Sequence, residues 1–248
     1  MRPGGSGPGR TTTLADVMDP GPLLASGRDS DIFEYGPGLV LRRSRAGRSL
    51  VGEARVMEHV RARGFPVPAV EEVSADGLDM VMERIEGPDM VALMSSRPWT
   101  IPRLGRMLAD LHATLHELAA PDWLADAPVG HGERLLHLDL HPLNVMLSPR
   151  GPVVIDWAGA CRGDPVVDVA LAWVLMAAGE VPTGRIIGLI LARARAALLK
   201  SFLGPVDIDA IRPVLRDVVA WKVTDPHMSA AEQARMWEVV RQAGSAAR

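Results

Sequence analysis

His137-Leu138-Asp139-Leu140-His141-Pro142-Leu143-Asn144 puts two imidazoles, a carboxylate and a carboxamide within eight residues. Taken alone, the octet fits a metal cage, a polar turn with Asx-type hydrogen bonds, or the centre of a catalytic site. The next dozen residues narrow the choice. Val145-Met146-Leu147 reads as a strand, Ser148-Pro149-Arg150-Gly151 as a turn, and Val153-Val154-Ile155 as the returning strand. If Leu147 pairs with Pro152, Asn144 lies opposite Ile155 or Asp156 across a gap of roughly 5 Å. The hairpin then brings the amide oxygen of Asn144 and the carboxylate of Asp156 to one end. Oxygen ligands with positions left for water and phosphate are what Mg²⁺ prefers. Asp139 sits on the loop that feeds this end.

A loop aspartate, an asparagine five residues on and an aspartate closing the hairpin meet the needs of phosphoryl transfer. One carboxylate accepts the proton of an attacking hydroxyl, and metal ligands neutralise charge on the phosphates. At this point the sequence resembles a known group. The octet fits the kinase catalytic-loop pattern H-x-D-x-x-x-x-N, and Ile155-Asp156-Trp157 stands where protein kinases carry Asp-Phe-Gly. The chain is more closely similar to the aminoglycoside phosphotransferase family, which includes choline-kinase-like enzymes. That family shows His-Gly-Asp-x-x-x-x-Asn, then Ile-Asp-Trp/Phe, then Gly-Asp-Pro-x-x-Asp-x-Ala. All three occur here in order, the last as Gly163-Asp164-Pro165-Val166-Val167-Asp168-Val169-Ala170.

The resemblance extends over about residues 22–240. Leu41-Arg42 stands at the family's strand cation, Glu53 at the helix glutamate that holds it, and Val67-Pro68 at the strand entry. Met82-Glu83-Arg84-Ile85-Glu86-Gly87 stands at the hinge, and Leu111-His112-Ala113 at the Leu-His pair before the catalytic loop. It implies a two-lobed, protein-kinase-like α+β fold: a small five-stranded antiparallel sheet with one helix, then a larger, mainly helical lobe. The implied activity is transfer of the γ-phosphoryl group of ATP, with Mg²⁺, to a hydroxyl of a small molecule. Asp139 would then be catalytic, and Asn144 and Asp156 the metal ligands. Gly27, Ser30, Arg42, Glu53, Glu83 and Ile85 would bind the nucleotide, with adenine against the hinge backbone. His137, His141 and Asp168 would support the catalytic loop. Three departures stand out: arginine replaces the usual strand lysine, Leu138 replaces the glycine after the histidine, and the loop flanked by Gly27 and Gly36 is poor in glycine.

The rest of the chain agrees with this layout. Pro22–Ala25, Asp31–Tyr35 and Leu39–Arg43 read as strands, the last two joined by Gly36-Pro37-Gly38. A helical stripe runs from Ser49 to Arg63 and stops at Gly64. Val67–Val73 and Leu78–Ile85 are two more strands joined by Asp76-Gly77. Glu86-Gly87-Pro88-Asp89 breaks the pattern. Helices follow at about 101–119, 164–178, 183–203, 207–222 and 229–243, the last opening with the capping box Ser229-Ala230-Ala231-Glu232. Residues 1–14 read as a disordered tail, 15–86 as the nucleotide-binding lobe and 87–248 as the catalytic and substrate lobe.

Composition limits the alternatives. The 248 residues, 48% hydrophobic and 23% charged with a net charge of −3, suit a globular domain and offer no basic field for nucleic acid. The longest apolar run, around Val166–Gly179, contains Asp168 and is too short for a bilayer, and the N-terminus has no apolar segment of a secretory signal. A single cysteine, Cys161, excludes an internal disulfide and a cysteine zinc cage and fits a cytoplasmic location. Lys200 and Lys222 are the only lysines. Residues 39–63 hold seven arginines against two glutamates, a cationic patch. His112 and His116 read as core histidines, because no H-E-x-x-H motif surrounds them. Two competing readings remain: a non-catalytic nucleotide-binding module on the same fold, and a metal-dependent hydrolase using His137, Asp139 and His141. For the acceptor, Asp207, Asp209, Asp217, Asp225 and Glu232 are candidates to receive a polycation.

Overall fold

The computed structural model describes residues 20–27, 29–179 and 185–245, with the backbone alone at 185–187. The tail read at 1–14 and Arg28 of the phosphate loop lie outside the described residues. The chain divides into two compact units, one running to Ala54 and including Val70–Arg84, the other made of Arg55–Ala69 and everything from Ile85 on.

The first unit is an antiparallel sheet in the order β1-β2-β3-β5-β4, formed by β1 (Leu23–Ser26), β2 (Ser30–Glu34), β3 (Leu39–Ser44), β4 (Val70–Val73) and β5 (Asp79–Glu83). β3 buries Val40 and Leu41, and Arg42 and Arg43 after them pair with acids. Arg43 lies opposite Asp79 across the β3–β5 ladder and donates to both of its carboxylate oxygens, at 2.8 and 2.7 Å. A bidentate, directly opposed pair of this kind is the strong form of cross-strand charge pairing. The helix α1 (Val51–Arg61) begins in this unit, its entrance tied to the β4–β5 turn by Leu50 N–H donating to Gly77 O at 2.8 Å. β4 and β5 are each shorter than the sequence pattern indicates, since Val67–Ala69 and Arg84–Ile85 lie outside the ladder.

The second unit holds the rest of α1 and six further helices: α2 (Met90–Ser96), α3 (Ile101–His116), α4 (Pro165–Ala178), α5 (Arg185–Leu203), α6 (Ile208–Lys222) and α7 (Ala230–Ser245). Between α3 and α4 lie two antiparallel ribbons. One pairs β6 (Arg134–Leu136) with β9 (Cys161–Gly163), and the other pairs β7 (Val145–Ser148) with β8 (Gly151–Val154). α4 is apolar on nearly every side, as a helix enclosed by others must be, and both α6 and α7 pack on it. Its start is set by Asp164, whose side chain accepts from Val166 N–H at 3.0 Å, with Pro165 at the first helical position. The α7 capping box forms: Glu232 accepts from Ser229 N–H at 2.9 Å, and Ser229 Oγ accepts from Glu232 N–H at 3.1 Å. α2, which no apolar period announces, is capped by Asp89 accepting from Ala92 N–H at 2.7 Å.

Gly87 and Gly105 are among the glycines required by contact. Gly87, at φ 137°, passes so close to the Leu147 carbonyl that no Cβ fits; the adjacent Pro88 O accepts from Leu147 N–H at 2.8 Å, pinning the hairpin to the entry of α2. Gly105 of α3 faces α5, where an added Cβ would meet Leu198 O and Ser201 Cβ at 2.8 Å. Gly105→Ala therefore forces α3 and α5 apart. We expect a loss of about 2 kcal/mol, read in thermal unfolding as a Tm lower by about 6 °C; an unchanged Tm would show that this contact is not tight.

Candidate active site

The loop at 137–144 is held by a buried carboxylate. Asp168, in the first turn of α4 and 1% exposed, accepts from His137 N–H and Leu138 N–H, both at 2.9 Å, and from His116 Nε2–H at 3.0 Å. Burial pushes the Asp168 carboxyl up. The hydrogen bond and charge of His116, the charge of His112 and the His137 amide overcome that and hold it well below the usual carboxylate range. The two backbone bonds fix Leu138 in the left-handed region at φ 56°. For a residue with a side chain that conformation costs about 1–2 kcal/mol, which explains why glycine suits this position. Leu138 is 7% exposed, and burying a leucine contributes about 1.5–3 kcal/mol, enough to offset the strain.

His137 is enclosed, its Nε2–H donating to Ile155 O at 3.2 Å and its ring 4.6 Å from that of Trp157. Burial lowers its pKa, so the ring is neutral with the proton on Nε2. Such an imidazole braces the loop and has no lone pair on that nitrogen for a metal. Among the described residues no group of three His, Cys, Asp or Glu side chains is placed to hold a metal ion. Cys161 is buried, and burial pushes its thiol up to about 12, so it is no nucleophile.

Beyond Leu138 the loop turns Asp139 outward, its side chain 35% exposed. Asn144 Nδ2 donates to both the carbonyl of Asp139 at 2.9 Å and its carboxylate at 3.0 Å, leaving the amide oxygen as the atom to meet a cation. His141 Nδ1 accepts from Leu143 N–H at 3.3 Å, which puts the ring proton on Nε2, 3.5 Å from Asp139 Oδ1. Burial pushes the Asp139 carboxyl up; the contact with His141 and the nearby positive charge more than reverse this and hold it below the usual carboxylate range. The β7–β8 register pairs Leu147 with Pro152, and Ile155 N–H donates to Asn144 O at 3.0 Å. Asp156 follows at φ 64°, a left-handed turn that aspartate tolerates better than most residues.

In the first unit Arg42 Nη1 pairs with Glu53 at 2.5 Å, side chains 12% and 5% exposed, and Arg42 Nε donates to Ser30 Oγ at 3.2 Å. Gly27 N–H donates to Ser30 O at 2.9 Å. Glu83 closes β5 opposite Leu39, and Ile85 lies just beyond the strand.

This geometry can be set beside known proteins. The chain matches the model of the phosphotransferase enzyme family (APH) over residues 22–131 and 115–214. The chain belongs to that family. That family is one of phosphotransferase enzymes. No curated protein matches it by sequence. Among solved structures it is similar to an aminoglycoside-3'-phosphotransferase of type VIII, with TM-score 0.54 and 20% identity over 86% of this chain and 88% of that one. It is also similar to the amicoumacin kinase hAmiN in complex with AMP-PNP, Ca²⁺ and Ami, with TM-score 0.53 and 14% identity over 91% and 88%. A choline/ethanolamine kinase family protein from Mesorhizobium loti gives TM-score 0.52 and 17% identity over 91% and 87%. The fold of this family member is accordingly kinase-like, with a five-stranded antiparallel sheet and seven α-helices among the described residues.

His116 is the residue that pattern reading passed over. It lies four positions after His112 on α3, so both rings share one face. Only His116 reaches Asp168; His112 Nδ1–H donates to Leu108 O at 2.9 Å and its ring packs on Phe202. Complete burial lowers the pKa of His112 to about 4. Because the folded value lies below the ordinary 6.5, the unfolded chain binds the extra proton between those limits, and stability falls as pH drops through that window. We expect this histidine alone to remove about 2 kcal/mol by pH 5. Urea unfolding at pH 7 and pH 5 reads this directly, and His112→Gln should shrink the difference. An equal loss in the variant would assign the pH dependence elsewhere.

Proposed function

We propose that the protein transfers the γ-phosphoryl group of ATP to a hydroxyl of a small molecule with Mg²⁺ bound, and that Asp139 is its catalytic carboxylate. The observation that carries this is the double hydrogen bond from Asn144 Nδ2 to Asp139, formed at the end of the hairpin from which Asp156 follows. Asn144 Oδ1 and the Asp156 carboxylate are hard oxygen donors, the set that suits Mg²⁺, and these two residues would hold the ion. When bound, it neutralises charge on the phosphates.

Asp139 orients the acceptor hydroxyl. Its ionised carboxylate takes the hydroxyl proton as the oxygen bonds to the γ-phosphorus. The bond from that phosphorus to the bridging oxygen breaks, and ADP leaves with the electron pair. A carboxylate held this acidic is a weak base, which suits a loose transition state in which the proton moves late and positioning does most of the work. His141 Nε2–H fixes the carboxylate on one side and Asn144 on the other. Arg42, held by Glu53, is the cation for the α/β-phosphates; its planar fork grips phosphate oxygens in pairs where lysine would offer a point charge. Gly27 and Ser30 meet the phosphates, and the backbone from Glu83 to Ile85 meets the adenine. Complexes of family-like proteins with AMP-PNP, ADP and GDP support a nucleotide as donor.

Asp139→Ala should lower ADP release by about a thousandfold while the calorimetric affinity for Mg·ATP stays near that of the wild type. Asp156→Ala should instead abolish the dependence of ATP binding on Mg²⁺. Wild-type turnover in Asp139→Ala would show the role to be misassigned.

A further inference from the structure

A cavity of about 380 Å³, lined by none of the residues assigned to the reaction, lies within the second unit between the end of α1 and the β7–β8 hairpin. Small-molecule sites span roughly 300–1,000 Å³. The walls of this one are fixed by backbone. Gly64, at φ 81°, reverses the chain after α1; its N–H donates to Arg61 O at 2.9 Å, and Phe65 N–H donates to Val60 O at 3.1 Å. These are the paired bonds of a helix end closed by glycine. Pro66 O then accepts from Val154 N–H at 2.8 Å, which joins the reversed segment to β8. On the hairpin, Ser148 Oγ accepts from Arg150 N–H at 3.3 Å and donates to Gly151 O at 2.9 Å, so the turn that carries Arg150 is itself held.

The lining has two chemistries. Phe65, Val67 and Val153, all buried, form an apolar side together with Pro152. Arg61 and Arg150, both exposed, supply positive charge, and none of the described residues lining the cavity is acidic. The wall segments repeat this bias: residues 59–67 and 148–153 contain Arg61, Arg63 and Arg150 and no aspartate or glutamate. Val67 O accepts from Arg61 Nη1 at 3.4 Å, which ties that guanidinium to the lining. A guanidinium carries five donors in a planar fork. An arginine can therefore keep contacts of this kind and still present a pair of N–H groups to the oxygens of a ligand. Two such forks beside an apolar surface suit a compound with an oxyanion at one end and a ring or alkyl body at the other.

We propose that this cavity binds a small organic anion, a carboxylate or phosphate monoester carried on an apolar body. Arg61 and Arg150 grip the anionic oxygens, and Phe65, Val67 and Val153 receive the apolar part. The site is separate from the phosphotransferase machinery and involves no covalent step.

The test is isothermal titration of the full chain with phenyl phosphate, benzoate, inorganic phosphate and benzyl alcohol. Whichever of phenyl phosphate and benzoate binds more tightly separates phosphate from carboxylate. That compound should bind about tenfold more tightly than inorganic phosphate, which lacks the ring, and than benzyl alcohol, which lacks the charge. Arg61→Gln and Arg150→Gln, at exposed positions, should each weaken its binding about tenfold with an unchanged circular dichroism spectrum. Arg61→Lys, which keeps the charge without the fork, should lose less than Arg61→Gln. Equal affinity for inorganic phosphate or benzyl alcohol overturns the proposal. So does the absence of binding by either organic anion at millimolar concentration, or binding untouched in the Arg61→Gln/Arg150→Gln double variant. Each of these results leaves the phosphotransferase reading standing, because that reading uses none of these residues.

Discussion

A single buried carboxylate organises the second unit. Asp168 accepts two consecutive backbone N–H groups, of His137 and Leu138, and the imidazole N–H of His116. A buried ionised group would be costly alone; with three donors it becomes an anchor, and burial is what makes the bonds strong. The anchor acts at the amides of His137 and Leu138, immediately before Asp139, so the position of the catalytic candidate is set by backbone and does not rely on its own side-chain rotamer. α4 carries this load because Asp164 and Pro165 start it at one place, leaving Asp168 in its first turn, where the helix dipole also favours a negative charge.

Left-handed backbone marks the two ends of the same construction. Leu138 turns the loop so that Asp139 faces out, and Asp156 turns the chain after β8. Each conformation is strained, and each is compensated differently: Leu138 by burial of its side chain, Asp156 by the tolerance of a short polar residue. Local strain held by surrounding bonds is common where a chain must present functional groups. His137 and Trp157 fill the space beneath, their rings in contact and Trp157 Nε1–H donating to Val154 O at 3.1 Å.

Much of this was legible in the sequence because it is local. The Leu147–Pro152 register follows from one turn between two short apolar runs, and it fixes what lies opposite Asn144. The capping box of α7 and the Asp164-Pro165 start of α4 are likewise written in consecutive residues. What escaped depends on distant partners or short segments. α2 spans seven residues and has no time to display a period. β9 is three residues whose pairing with β6 exists only once the hairpin has folded between them. His116 looks like an ordinary core histidine until α4 brings Asp168 to it. Arg42 illustrates the middle case: its pairing with Glu53 is readable from the family resemblance, whereas the Arg43–Asp79 fork beside it needs the β3–β5 register.

The central claim is that the Asp168 carboxylate, through two amide hydrogen bonds, holds the loop that presents Asp139. Steady-state turnover of Asp168→Asn, alongside calorimetric Mg·ATP affinity, tests it most directly, because the amide keeps the volume but offers one acceptor oxygen where two are needed. The account predicts a kcat lower by about a hundredfold with nucleotide affinity and far-UV circular dichroism close to wild type. Unchanged kcat in a folded Asp168→Asn protein would contradict it.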